Sequence, residues 1–164
     1  MAKKYVLDAN VFIEASQRYY GFDFVPSFWK ALIDQASAER IRSIDRVKQE
    51  LLRGNDDLSK WADNEFAGYF DSTAEADAIQ AYRQVMEWAQ KEPQYTEAAR
   101  AEFARVADGW LVAYAMARNK VLVTHEQFQR DAKKRILIPN ACRAFGVPTV
   151  DTYDMLRSLG VKLG

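Results

Sequence analysis

The sequence places four carboxylates where strands end or helices begin, at Asp8, Glu50, Asp108 and Glu126. Asp8 ends the apolar, strand-like run at residues 4–7, and Glu126 lies just beyond a second such run at residues 121–123. Glu50 lies on a helix that follows a short predicted strand at residues 41–44, and Asp108 precedes the apolar segment 110–117. In open α/β sheets, functional groups gather beyond the carboxyl ends of the strands. We therefore expect these acids to converge at one edge of a sheet.

Converging carboxylates repel one another and raise one another's pKa, unless a cation lies between them. One or two Mg²⁺ or Mn²⁺ ions remove that penalty, because both prefer oxygen ligands. The single cysteine, Cys142, and the single histidine, His125, exclude a cysteine-rich or multi-histidine metal site. Bound divalent ions lower the pKa of a water molecule and stabilise charge on phosphate. The pattern thus favours metal-assisted phosphodiester hydrolysis.

Each acid also has a simpler interpretation when taken alone. Asp108 would be a helix N-cap and Asp8 a turn former. Glu50 would be a solvated helix residue, and Glu126 a surface acid. The occurrence of all four acids, each next to a predicted strand or helix, favours a shared site.

The elements expected around these acids alternate between strand and helix, which predicts a three-layer α/β/α fold with a mostly parallel sheet of four to five strands. The predicted strands are 4–8, 41–44, 121–123 and 147–150. The predicted helices are 26–39, the one that Asp45 caps, 57–66, 73–91, 95–106, 110–117, 139–145 and the one that Asp151 or Thr152 caps. We expect a single domain spanning 1–164, with a helical insertion at approximately 56–106.

The composition, 49% hydrophobic over 164 residues, suits one well-filled core. No apolar run approaches the roughly 20 residues of a membrane span, and the start of the chain lacks the pattern of a secretory leader, so we expect a cytoplasmic protein. The formal net charge of zero hides a division. Residues 1–117 hold 14 Lys/Arg against 19 Asp/Glu, whereas residues 118–164 hold 9 against 4. An acidic pole beside a basic substrate surface and an evenly solvated mixture are both compatible with this division.

The chain resembles the PIN-domain family of metal-dependent nucleases, which includes VapC-type ribonuclease toxins. The resemblance rests on four segments: Tyr5 to Phe12, Glu50 with Leu51 and Leu52, Asp108 before Trp110 to Ala115, and Val123 to Glu126. Further segments resemble a PIN-like subfamily known only as a domain of unknown function: Phe12 to Ala15, Phe22 to Trp29, Lys133 to Pro139, and Cys142.

The resemblance implies that Asp8, Glu50 and Asp108 are catalytic ligands of Mg²⁺ or Mn²⁺, with Glu126 as the fourth acid. Glu126 departs from the family, in which this position is commonly Asp. Asn10 and Thr124 would orient the first acid or the substrate, although Thr124 as a strand-ending cap is an equal alternative. The implied partners are RNA, an antitoxin protein and a second copy of the chain in a homodimer.

Four basic residues follow the segment Val123 to Glu126 and could bind RNA phosphates or belong to a solvated loop. They are Arg130, Lys133, Lys134 and Arg135. Glu14 could join the acids indirectly. The aromatic residues between Tyr19 and Trp29 could stack on bases or bind a partner, but core packing is favoured.

The leading hypothesis is a metal-dependent endoribonuclease, the toxin of a type II toxin–antitoxin pair. A phosphatase of the haloacid dehalogenase type also begins with an acid at a strand end, but it requires a second acid where this chain has Asn10. The non-enzymatic alternative is a PIN fold that only binds nucleic acid or protein, since a fold alone does not fix function.

Overall fold

The computed structural model describes residues 2–164, and its centre is a sheet of five strands. The strands are β1 (Tyr5–Leu7), β2 (Ile41–Ile44), β3 (Phe70–Asp71), β4 (Val121–Val123) and β5 (Thr149–Val150). Their order across the sheet is β3-β2-β1-β4-β5, and every neighbouring pair is parallel. The predicted α/β fold with a mostly parallel sheet is confirmed.

The central strand β1 pairs with β2 on one side and with β4 on the other, so that Tyr5 lies opposite both Ile41 and Val121. The chain leaves β1 toward β2 and later crosses back to β4. Such a reversal opens a crevice beyond the carboxyl ends of the two strands that flank it. Here that crevice lies after Leu7 and Val123, and Asp8 closes the ladder by donating its backbone N–H to the carbonyl of Val123 at 3.1 Å.

Nine helices in the described part of the chain surround the sheet. They are α1 (Ala9–Glu14), α2 (Pro26–Ser37), α3 (Asp45–Arg53), α4 (Asp57–Asn64), α5 (Ala76–Lys91), α6 (Glu97–Arg105), α7 (Asp108–Arg118), α8 (Ile138–Ala144) and α9 (Thr152–Ser158). One π-helical turn extends α1 through Tyr19. Of these helices, none is long and apolar enough to cross a membrane.

Aromatic packing fixes α1 on the core. Phe12 is fully buried, and its ring centroid lies 5.6 Å from that of Phe66 and 5.9 Å from that of Trp61. Trp61 in turn packs edge-to-face on Trp29 of α2 at 4.8 Å. These contacts hold the start of α1, and with it Asp8, in one orientation.

Two elements differ from the sequence prediction. The chain turns into helix α1 immediately after Asp8, where a turn is expected. Strand β3 lies within the predicted helical insertion, because two residues opposite Ser43 and Ile44 extend the sheet. Both elements are short, and a segment of two to six residues shows little hydrophobic periodicity.

The prediction that Asp45 caps the third helix is wrong. Ile44 is the N-cap residue, and Asp45 is the first residue of α3. Its carboxylate accepts hydrogen bonds from the backbone N–H of Thr73 at 3.1 Å and from the Thr73 hydroxyl at 2.9 Å. Asp45 therefore joins α3 to the loop after β3. Asp151, by contrast, is confirmed as the cap of α9, because it accepts from the N–H of Asp154 at 2.8 Å.

Candidate functional site

Asp8 lies at the bottom of the crevice between β1 and β4. Its residue surface is only 3% exposed, and one carboxylate oxygen accepts a hydrogen bond from the Thr124 hydroxyl at 3.1 Å. Burial raises its pKa to about 8, with further contributions from the negative charges of Asp108 and Glu126. The Thr124 hydrogen bond opposes this change without cancelling it. The site thus holds a carboxyl group whose ionised form lacks a compensating charge.

Asp108 is the first residue of α7, and it faces the same crevice. The residue before it, Ala107, is the N-cap and Asp108 is already helical, which excludes the simple N-cap interpretation. Burial raises its pKa to about 7, with repulsion from Glu126 as the next cause, while the positive charge of Arg135 lowers it.

Glu50 approaches from α3 on the other side. Burial raises the pKa of its carboxyl group, and the charge of Arg53 acts in the opposite direction. Glu50, Asp8 and Asp108 line one cavity of about 410 Å³. The structure thus brings together three of the four predicted acids.

Glu126 lies beside this cavity, and both of its carboxylate oxygens have partners. One accepts from the backbone N–H of Ile138 at 2.8 Å, and the other accepts from the Arg135 guanidinium at 2.6 Å. Its own N–H donates to the Thr124 hydroxyl at 3.2 Å. Glu126 therefore anchors the segment that leads into α8, and its charge also raises the pKa of Asp8 and Asp108.

Thr124 connects the two groups of acids. Its hydroxyl donates to Asp8 and accepts from the N–H of Glu126, so a single side chain sets the position of both. Asn10, exposed on the first turn of α1, lines the cavity. Its orienting role stays a prediction.

The four predicted RNA-binding residues separate into two groups. Lys134 and Arg135 line the acid cavity, whereas Arg130 and Lys133 are not among its lining residues. Arg135 also lies 3.8 Å from the Asp108 carboxylate, so that its guanidinium spans Asp108 and Glu126. The sequence did not indicate this ion-pairing role, because the segment before Arg135 has no periodic pattern to place it.

Two further acids and the single cysteine differ in their relation to the cavity. Glu102 of α6 lines the cavity and was missed, since on the sequence it is one of several charges on a surface helix. Glu14 lies outside the cavity and forms an ion pair with Arg18 at 3.5 Å. Cys142 is buried, and burial raises the pKa of its thiol well above the ordinary value, so it packs in the core as a neutral thiol.

The donor atoms of the cavity fit a hard divalent cation, because they are carboxylate oxygens. Among the described residues, no three His, Cys, Asp or Glu side chains already have the spacing of a metal site. The Glu50 carboxylate has no hydrogen-bond donor within residues 2–164, and Asp8 has only Thr124. These oxygens are therefore available to an ion, but the side chains would have to move to bring them together around it.

Fold and site together define a parallel α/β protein with an acidic cavity beside the carboxyl ends of its central strands. The crystal structure of VapBC2 from Rickettsia felis bound to a DNA fragment from their promoter has a similar fold, with a TM-score of 0.54 and 14% sequence identity over 90% of this chain and 97% of that chain. At this identity, the similarity concerns the fold alone. The chain belongs to the family described as a domain of unknown function, DUF4411, whose model matches residues 5–163. Comparison with curated proteins finds no match.

Proposed function

We propose that the protein is a metal-dependent endoribonuclease that hydrolyses RNA phosphodiester bonds. The observation that carries the proposal is the convergence of Asp8, Glu50 and Asp108 in one cavity, with the pKa of Asp8 raised to about 8 and that of Asp108 to about 7. A buried group of carboxyls without a compensating charge destabilises a fold. Such an arrangement is expected where a cation or a reaction requires it.

In this proposal Asp8, Glu50 and Asp108 hold one or two Mg²⁺ or Mn²⁺ ions, which lower the pKa of water and stabilise charge on phosphate. Thr124 keeps Asp8 oriented through its 3.1 Å hydrogen bond. Glu126 acts on the site through Thr124 and Arg135, and its two occupied oxygens favour an indirect role over direct ligation. Asn10 orients the substrate at the cavity mouth.

The cationic side chains at the cavity are suited to phosphate. Lys134 and Arg135 line the same cavity as the acids, and Arg135 can form paired hydrogen bonds to phosphate oxygens. Arg130 and Lys133 would contact the RNA farther from the cavity. This placement supports RNA binding next to the acids.

We further propose that the protein is the toxin of a type II toxin–antitoxin pair, with an antitoxin as partner, and that it forms a homodimer in the cytoplasm. The support is the fold shared with VapBC2, a complex described as bound to promoter DNA. Co-purification of the protein with the product of an adjacent gene, and inhibition of its activity by that product, would test the partnership.

The direct test is cleavage of a mixture of structured and single-stranded RNA with Mn²⁺, Mg²⁺ or EDTA. We expect cleavage with either ion, no cleavage in EDTA and no cleavage by Asp8→Asn. Asp57→Asn is the matched control, because Asp57 begins α4 on the surface and lies outside the cavity. Cleavage by a folded Asp8→Asn variant would contradict the assignment.

The alternative is a PIN fold that binds nucleic acid or protein without hydrolysis. The observation that favours it is Arg135, whose guanidinium already neutralises part of the acidic site through Glu126 and Asp108. Metal binding measured by calorimetry, together with intact RNA and DNA after long incubation, would select this alternative.

A further inference from the structure

Exposed aromatic side chains border a groove that continues from the acid cavity. Tyr19, Phe128 and Tyr153 are 48%, 42% and 38% exposed, although large apolar side chains are usually buried. Tyr19 lines a cavity of about 390 Å³, and the other two line one of about 480 Å³. The three rings therefore lie along the same side of the molecule as the acids.

Shared lining residues connect these cavities into one path. Asn10 and Arg135 belong both to the acid cavity and to the cavity beside Tyr19. His125 and Glu126 belong both to that second cavity and to the one beside Phe128. A chain that enters the acid cavity can therefore continue past Tyr19 toward the remaining two rings.

The rings are fixed in place while part of their surface stays free. Tyr19 and Tyr153 meet edge-to-face, with centroids 6.3 Å apart and an interplanar angle of 77°. An edge-to-face pair covers only one face of one ring. The Arg143 guanidinium lies over one face of the Phe128 ring, 4.4 Å from its centre, so only the opposite face could take a base.

The floor of the groove between the rings is polar. It includes His125, whose ring nitrogen makes a 2.9 Å hydrogen bond with the Thr152 hydroxyl, and also Gln127 and Thr149. The carboxylates of Glu126, Asp151 and Asp154 line it as well, and they can accept hydrogen bonds from the amino groups of bases. A protein-binding groove typically has a contiguous apolar centre. Separated rings on a polar floor suit nucleobases instead, because a base has an apolar face and a polar edge.

We infer that Tyr19, Tyr153 and Phe128 form a stacking subsite for unpaired nucleobases of the RNA strand on one side of the cleaved phosphate. This inference rests on the proposed function, since it assigns the path of that function's substrate. Bases in a duplex already stack on one another and cannot reach the rings. The subsite thus selects RNA that is unpaired next to the cleavage point.

The test measures binding of a fluorescein-labelled single-stranded RNA of ten nucleotides by anisotropy, in the Asp8→Asn background so that the RNA stays intact. We expect Tyr153→Ala and Phe128→Ala each to weaken binding roughly five- to tenfold, the lower range for loss of one base stack. Tyr153→Phe keeps the ring and should bind like the parent. Phe24→Ala is the matched control, because Phe24 is 82% exposed and lies outside the groove.

An RNA of the same length that carries abasic residues separates stacking from charge. It should bind the parent more weakly, and the alanine substitutions should then have no further effect. The inference would be overturned if the alanine substitutions weakened the binding of intact and abasic RNA equally. It would also be overturned if neither alanine substitution changed the binding of intact RNA. Thermal unfolding of each variant identifies any misfolded protein. If one alanine variant misfolds, the binding of the other, folded alanine variant decides.

The two proposals fail in different ways. If the parent cleaves RNA but the ring substitutions leave binding unchanged, only the stacking subsite is wrong. If the unmodified protein neither cleaves nor binds RNA, the proposed function itself is contradicted and the subsite with it. Binding of a protein partner that the ring substitutions abolish, without any change in RNA binding, would also refute the subsite.

Discussion

Replacing Asp8 by Asn should stabilise the protein in metal-free buffer, and by an amount that depends on pH. The asparagine has nearly the same shape as the protonated acid, and it can keep the hydrogen bond from Thr124. It removes an ionisable group whose pKa rises from 3.8 to about 8 on folding. In the unfolded chain, by contrast, the acid ionises freely above pH 4 and favours unfolding.

The magnitude follows from that difference. Between the ordinary pKa of 3.8 and pH 7, the folded wild type keeps its proton while the unfolded chain loses it. Each pH unit in this window lowers the wild-type free energy of unfolding by about 1.4 kcal/mol, because the folded state binds more protons. The protonated Asp8 contributes its full stabilisation below pH 3.8, and this contribution decreases as the pH rises toward 8. We therefore expect Asp8→Asn to gain about 4 kcal/mol at pH 7 and almost nothing near pH 4.

The assay is urea unfolding of wild type, Asp8→Asn and the surface control Asp57→Asn in EDTA, from pH 4 to pH 8. A stabilisation that grows with pH supports the argument, and Mn²⁺ should then stabilise only the wild type and the control. A pH-independent difference, or a less stable Asp8→Asn at pH 7, would refute the account of the buried charge.

Three other substitutions test neighbouring parts of the structure. Asp108→Asn should also raise stability in EDTA at pH 8, by up to about 4 kcal/mol, since its pKa rises from 3.8 to about 7 on folding and no cap is lost. A loss of stability in urea unfolding would restore the capping interpretation. Thr124→Val removes the hydroxyl that joins Asp8 to Glu126, and calorimetry should find weaker Mn²⁺ binding with little change in shape. Asp56→Ala removes the capping box of α4 and should lower the free energy of unfolding by about 1 kcal/mol. The melting temperature should then fall by roughly 2–4 °C. An unchanged melting temperature would mean that water replaces the cap.

Most of the sheet could be predicted because β1 and β4 are continuous apolar runs whose residues are all buried. β2 is half polar, but its two isoleucines, Ile41 and Ile44, are buried at its ends and mark it as a strand. β3 could not be found in this way, since Phe70 and Asp71 are only half-buried and owe their conformation to pairing with β2. Its existence depends on tertiary contacts that leave no local pattern.

The acids could be predicted to converge because a parallel sheet brings strand ends to one edge. The hydrogen-bond and ion-pair partners of those acids could not be predicted. Arg135 and the Ile138 N–H both donate hydrogen bonds to Glu126, although they follow it by nine and twelve residues in the sequence. The chain between them and Glu126 has no regular secondary structure. The path of that segment decides which cation pairs with which acid. That path cannot be predicted from composition.

The site contains two kinds of carboxylate, and the difference indicates where an external cation would go. Both carboxylate oxygens of Glu126 accept hydrogen bonds, one from Arg135 and one from the backbone N–H of Ile138. Moving Glu126 away would leave that N–H without an acceptor. Asp8 has a single hydroxyl partner and a pKa of about 8, so its ionised form gains most from a nearby positive charge. A divalent ion should therefore bind on the side of Asp8, Glu50 and Asp108. It would leave the pair of Glu126 and Arg135 intact, with the arginine free along one edge to meet a phosphate.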